Sequence, residues 1–125
     1  MDLVIRLYST FGEDSFQKNY HRVQRWKYNG FEEFDKIATD DDFAAFFRVA
    51  VFFENMGLLL KRNLAKIDLL DDLLSGPIVQ SWEKLEPIIR GYRKKNSVPQ
   101  IAEWFEYLYN AMKDRLSKLA QNTQP

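Results

Sequence analysis

Residues 41–61, DDFAAFFRVAVFFENMGLLLK, decide the fold. Apolar side chains recur here at spacings of three and four residues, which is the pattern of a helix packed inside a protein. They cover most of the helix circumference: Phe43, Phe46, Phe47, Ala50, Val51, Phe53, Leu58 and Leu60. Thr39 or Asp40 is the candidate N-cap, followed by acids that a helix dipole favours. The stretch predicts a central helix over about 41–61, the most buried helix of the fold.

The residues before this stretch predict further helices. Helical spacing covers residues 3–11 and resumes over 16–27, and Gly12 either kinks one long helix or separates two. The sequence leaves this point open. Tyr28-Asn29-Gly30 ends the helix, because Asn and Gly tolerate the left-handed conformation. A short helix is expected over residues 31–37.

The residues after it predict two or three more. A short helix capped by Asp68 is expected to end at Leu74, and Pro77 to begin the next. Pro87 lies inside that second helix, so we expect a kink near Glu83, one turn before it.

Ser97 is expected to cap the last helix. Residues 121–125 are expected to form a frayed tail, leaving one domain over residues 1–120. The chain has only 5 Gly and 4 Pro, few for a sheet protein with many tight turns, and 46% of its 125 residues are apolar. We therefore predict an all-α, single-domain bundle of about five to six helices.

The charges balance, with 18 basic and 18 acidic residues. A strong binder of nucleic acid or anionic membrane usually carries net positive charge, so neither class is favoured. The acids are concentrated in residues 31–75, whereas residues 1–30 and 76–125 are mildly basic. We expect the two ends to attract the middle in the fold.

The sequence lacks the residues that several kinds of catalytic and metal site require. The chain has 0 Cys and 1 His, which excludes disulfides, thiolate metal sites and a cysteine nucleophile. Glutamates at 83 and 86, and at 103 and 106, share helix faces, but no histidine ligand accompanies them. We expect no metal, no cofactor and no catalytic residue, and we interpret His21 as an ordinary helix histidine.

The most apolar stretch, residues 44–60, is interrupted by Arg48, Glu54 and Asn55. Two charges make it a poor bilayer span and a good core helix. We expect no transmembrane segment and a cytoplasmic protein. Because a carboxylate inside an apolar helix needs a partner, Glu54 is expected to pair with Arg90 or Arg93.

Three runs together resemble a known family: FFENMGLL at residues 52–59, IDLL at 67–70, and WEKLEPII at 82–89 followed by Arg93. The pattern, over about residues 40–110, resembles a family of small helical prokaryotic proteins catalogued only as a domain of unknown function. The resemblance implies a helical fold and no established activity.

The leading functional hypothesis is a non-enzymatic interaction or scaffold module that binds another protein or itself, as a possible homodimer. Its motivation is an aromatic excess, since Trp and Tyr are common interface anchors. The candidate interaction surface comprises Arg22, Arg25, Trp26, Tyr28, Arg93 and Trp104.

Two alternatives stay open. Segments 21–28 and 90–95 interleave cations with aromatic residues, as single-strand nucleic-acid binders do. An enzyme with a carboxylate-based site would use Glu83, Glu86 and Arg93, and it would need a deep polar pocket.

Overall fold

The computed structural model describes residues 3–122, which form six α-helices and no β-strand. The helices are α1 (Leu3–Phe11), α2 (Asp14–Gln24), α3 (Phe31–Ile37), α4 (Asp40–Lys61), α5 (Ile67–Asn96) and α6 (Glu103–Asn122). The predicted all-α fold of five to six helices is confirmed. Of the expected tail, residues 121 and 122 belong to α6, and residues 123–125 lie outside the described residues.

The central helix α4 begins where its capping residues predict. The Thr39 hydroxyl accepts a hydrogen bond of 3.1 Å from the Asp42 backbone N–H, so Thr39 is the N-cap. Three aspartates fill the first turn and Lys61 lies in the last, as the helix dipole favours.

The open question at Gly12 is resolved as two helices. The Gly12 and Glu13 backbone N–H groups bond to the carbonyls of Ser9 and Thr10, which closes α1 with a turn before α2 begins at Asp14. The short helix α3 has the predicted bounds, Phe31–Ile37.

Helix α5 is interrupted at Leu74, whose φ of −144° and ψ of 19° are not helical. Pro77 lacks an N–H and its ring crowds the carbonyl four residues earlier, which accounts for a break just upstream of it. The predicted helix end at Leu74 therefore coincides with this break. Near Glu83, where a kink is expected from Pro87, the backbone angles stay helical, and Leu74 is the one residue inside α5 with non-helical φ and ψ.

The expectation that Ser97 caps the last helix is wrong. Ser97 instead ends α5 in the left-handed conformation, with φ 54° and ψ 40°. Arg93, Lys94 and Lys95 precede it in the last turn, where cations stabilise a helix end. Helix α6 begins only at Glu103.

The core is one cluster in which α4 packs mainly on α6 and α2, and α5 packs on α6 and α3. Trp82 of α5 is buried, and its ring contacts those of Phe105 and Tyr109 on α6. Helices α4 and α6 are closest at Gly57, where an added Cβ would lie 1.9 Å from the Trp104 carbonyl oxygen. Gly57 therefore permits a close approach of the two helices, because it has no side chain.

Three ion pairs join the acidic middle of the chain to its basic ends. Arg22 pairs with Asp42, Lys95 with Asp35 and Arg115 with Asp71, at 2.6, 2.8 and 2.8 Å. The attraction expected from the uneven charge distribution is therefore present in the fold.

Among residues 3–122, one helix is long and apolar enough to cross a membrane by length and composition alone, and it is α4. Core helices pass the same test, so this is weak evidence for a span. In this fold α4 packs against α1, α2, α5 and α6.

Candidate functional site

One face of α4 is left open to solvent. Phe43, Phe47 and Val51 follow one another at spacings of four residues, and their side chains are 48%, 61% and 40% exposed; Leu58 is 36% exposed. The opposite face, which includes Phe53 at 0% exposure, lies in the core. The expectation that these four residues help to bury α4 is therefore wrong, because the neighbouring helices leave this face uncovered.

Helix α1 runs beside this open face and forms a groove with it. One end of the groove, of about 470 Å³, is lined by Leu3, Arg6, Leu7, Thr10, Asn55, Leu58 and Leu59. The other end, of about 310 Å³, is lined by Leu7, Thr10, Phe16, Phe47, Arg48, Val51, Phe52 and Asn55. The two depressions share Leu7, Thr10 and Asn55 and therefore adjoin, and we call them together the α1/α4 groove.

Aromatic contacts hold α1 in place. The Phe11 ring lies 5.5, 5.2 and 5.9 Å from the rings of Phe16, Tyr20 and Phe52, and Val4 is buried. The Phe11 carbonyl also accepts a hydrogen bond of 2.5 Å from the Gln17 side-chain amide. These contacts use one edge of α1, so Leu3 and Ile5 stay exposed.

Among the described residues that line it, the groove carries positive charge and no negative charge. Its charged lining residues are Arg6 near the Leu58 end and Arg48 near the Phe47 end. Neither arginine forms an ion pair within residues 3–122, and both are exposed. Both guanidinium groups are therefore available to a partner.

Three of the predicted interaction residues converge on Asp42 instead of facing solvent. The Asp42 carboxylate accepts hydrogen bonds from Arg22 Nε at 2.6 Å, Trp26 Nε1 at 3.1 Å and the Tyr28 hydroxyl at 2.5 Å. Trp26 is only 7% exposed, so it is not an exposed anchor. The Lys84 ammonium also donates to the Trp26 carbonyl. The cluster ties the loop after α2 to the first turn of α4.

The Asp42 cluster shifts two proton affinities. Burial raises the pKa of Asp42, but the hydrogen bonds from Tyr28, Arg22 and Trp26 outweigh it, and the net pKa is lowered. Burial, aided by the hydrogen bond to Asp42, raises the pKa of Tyr28 to about 12. Both shifts favour the observed bond between a phenol and a carboxylate.

Arg93, another predicted interaction residue, lies in a separate network. Its Nη1 donates to Glu106 at 2.7 Å and its Nε to the Ile101 carbonyl at 2.7 Å. Its guanidinium lies 5.9 Å from the Trp82 ring centre. Its Nη2 is buried and has no hydrogen-bond partner within the described chain. Arg93 therefore fastens the loop before α6 to α5.

The last two predicted residues, Trp104 and Arg25, lie apart from both clusters. Trp104 is half-buried near the start of α6, where its ring contacts that of Tyr107 at 6.0 Å. Arg25 is exposed after α2. The structure thus brings Arg22, Trp26 and Tyr28 together, and it does not join them to Arg25, Arg93 or Trp104.

Glu54 has a different partner from the one expected. Its Oε1 accepts a hydrogen bond of 2.8 Å from the Phe105 backbone N–H, in the first turn of α6. Arg90 and Arg93 pair with Glu106 instead, so the predicted ion pair with Glu54 is wrong. Burial raises the pKa of Glu54 in spite of this bond. The partner of the Glu54 carboxylate is therefore the N-terminus of α6, with its free N–H groups and positive dipole end, and not an arginine.

The residues of the two alternative functions are mostly engaged within the fold. In segment 90–95, Arg90 pairs with Glu86 and Glu106, and Lys95 pairs with Asp35. Glu83 is exposed and accepts a hydrogen bond from the Tyr109 hydroxyl at 2.9 Å.

The depression of about 430 Å³ beside Arg93 is lined by Arg90, Arg93, Lys94, Ser97 and Pro99, so neither Glu83 nor Glu86 enters it. His21 is exposed and lies edge-on to the Tyr20 ring. Within residues 3–122, no group of three His, Asp or Glu side chains could hold a metal ion.

The fold and the groove together define a small all-helical domain with an open apolar channel between two of its helices. The chain belongs to the family described as a domain of unknown function, DUF4760, which matches residues 4–112. This confirms the resemblance to a family catalogued only in that way. No curated protein and no solved structure is significantly similar to the chain.

Proposed function

We propose that this protein is a non-enzymatic interaction module that binds a helix of another protein in the α1/α4 groove. The carrying observation is the open face of α4, where Phe47 and Val51 are apolar, are 61% and 40% exposed, and line the groove. Water-exposed apolar patches of this kind are typical of protein-binding surfaces. Phe47 is the most exposed of these residues and is the natural anchor.

The shape of the groove supports a helical partner. Helix α1 contributes Leu3 and Leu7 to the lining, and α4 contributes Val51 and Leu58, which leaves an elongated apolar channel. An amphipathic helix fills such a channel with side chains spaced three and four residues apart. The polar groups of Thr10 and Asn55 lie at its centre and are available for hydrogen bonds that set the register of the partner.

A photocrosslinking experiment tests the proposal in the host cell. A photoreactive phenylalanine analogue replaces Phe47 in the full chain, and the matched control places it at Leu119, which is 41% exposed on α6 and lies outside the groove. We expect a discrete product with a second protein from position 47 and none from position 119. Val51→Asp in the same chain should remove it.

Two outcomes contradict the proposal. Identical products from both positions would mean that the groove has no selective partner. A product with twice the mass of the chain, together with a dimer in light scattering, would assign the groove to a second copy of the protein.

A further inference from the structure

We propose that the partner helix is acidic, with carboxylates near both ends of its apolar face, held by Arg6 and Arg48. This inference rests on the proposed function and names the chemistry of the partner. It starts from the charge of the groove, whose lining within residues 3–122 contains two arginines and no acid.

The two arginines have no competing partners. Two partly buried arginines on other helices do form ion pairs: Arg93 of α5 pairs with Glu106, and Arg115 of α6 pairs with Asp71. Arg6 and Arg48 form none within residues 3–122. An acidic partner would therefore gain two ion pairs without breaking any in this chain.

The positions of the arginines set a spacing. Arg48 is on α4 at one end of the groove, and Arg6 lines the other end together with Leu58. Residues 48 and 58 of one helix are about 15 Å apart at 1.5 Å per residue. A partner helix lying along the groove therefore presents its two carboxylates on one face about eleven residues, or three turns, apart.

The arginines also select against other partners. A helix with lysines at the same two positions would place like charges together, and such repulsion suppresses wrong partners. Between the two ends, apolar residues at i, i+3, i+4 and i+7 would contact Leu7, Val51 and Phe47.

The test uses three synthetic helical peptides that share a leucine face. They differ only at two positions about eleven residues, or three turns, apart, which carry Glu, Gln or Lys. Fluorescence polarisation with the full chain measures the three dissociation constants at low salt. We expect Glu to bind about tenfold more tightly than Gln, and Lys more weakly than Gln, because each exposed ion pair contributes modestly.

The double variant Arg6→Glu with Arg48→Glu should reverse this order. The matched control, Arg25→Glu with Lys113→Glu, makes the same change in net charge at exposed residues outside the groove and should keep the original order. Circular dichroism of each variant checks that the helices are intact.

The other outcomes separate the two proposals. Equal affinities for the three peptides would overturn the acidic-partner inference and leave the groove as a helix-binding site. Absence of binding by all three would overturn both. Binding to vesicles of phosphatidylglycerol and phosphatidylcholine that Arg6→Glu with Arg48→Glu abolishes, with no peptide binding, would assign the groove to a lipid surface instead.

Discussion

The Glu54 carboxylate of α4 caps α6 by accepting a hydrogen bond of 2.8 Å from the Phe105 backbone N–H. The residue just before α6 is Ala102, which has no side-chain oxygen and lies in the left-handed conformation with φ 57°. Alanine is a poor N-cap. A carboxylate from another helix therefore replaces the local cap that the sequence lacks.

Glu54→Ala should lower the free energy of unfolding by about 1–2 kcal/mol, the usual effect of losing an N-cap. Glu54→Gln keeps an oxygen acceptor and should lower it less. Urea denaturation at neutral pH measures both. Equal stability of Glu54→Ala and the wild type would show that the cap contributes nothing.

The same residue predicts a pH dependence. Burial raises the pKa of Glu54 above its ordinary value of 4.5, so the folded state binds this proton more tightly than the unfolded state. The part of its stabilisation that is linked to this proton is therefore present below pH 4.5 and is lost as the pH rises through the folded-state pKa, whereas the hydrogen bond from Phe105 remains. The stability difference between the wild type and Glu54→Gln should shift against the wild type across that range.

The lowered pKa of Asp42 predicts the opposite trend at acid pH. Its contribution is present above its ordinary pKa of 3.8 and is lost as the pH falls through the lower, folded-state value. Asp42→Asn should be less stable than the wild type at pH 7, and the difference should shrink below pH 3.8. Thermal unfolding at a series of pH values checks this. A constant difference down to pH 2 would contradict it.

At alkaline pH, Tyr28→Phe tests the donor of the hydrogen bond between the Tyr28 hydroxyl and Asp42. The pKa of Tyr28 is raised from 10.0 to about 12, so its contribution is present below pH 10 and is lost as the pH rises towards 12. The wild type should lose stability over this interval more steeply than Tyr28→Phe does. Tyr20, Tyr92 and Tyr109 also have raised pKa values, so the variant should retain part of the slope.

Gly57→Ala should destabilise the fold by about 1–3 kcal/mol or more, because the new Cβ meets a backbone carbonyl 1.9 Å away and α4 must separate from α6. Gly12→Ala is the matched control, since its nearest contact is an ordinary 3.7 Å. It should change stability by less than about 1 kcal/mol. Similar losses in the two variants would contradict the close helix crossing.

Two phenylalanines on opposite faces of α4 separate folding from binding. Phe53→Ala removes a fully buried ring and should cost about 3–5 kcal/mol. Phe47→Ala removes a ring that is 61% exposed and should change stability by about 0.5 kcal/mol or less. With the photoreactive residue moved to position 51, Phe47→Ala should nevertheless lose the crosslinked product. That result would show that the Phe47 ring serves binding and not folding.

The helices were predictable because their signals are local. The Thr39 cap, the run from Phe31 to Ile37 and the proline at 77 act on residues within one or two turns. The prediction that Ser97 caps the last helix was wrong because serine is compatible both with a helix start and with a left-handed helix end. Which of the two occurs depends on where the next helix packs.

The groove was not predictable because it depends on packing between distant segments. The apolar residues of α4 surround the whole helix, so periodicity alone does not tell which face stays uncovered. That choice follows from how α2 and α6 dock and from the short length of α1. The four-residue spacing of Phe43, Phe47 and Val51 indicates that they lie on one side of α4. Nothing in the neighbouring sequence indicates that this side is exposed to solvent.

One wall of the groove is the nine-residue helix α1, held along a single edge. A helix this short is not stable in isolation, so its backbone hydrogen bonds open more readily than those of α4 or α5. In deuterated water the amides of α1 should exchange first, and a seated partner should slow them selectively. The amide exchange rate of α1, the least stable helix, would then show whether the groove is occupied, even when the partner is still unidentified.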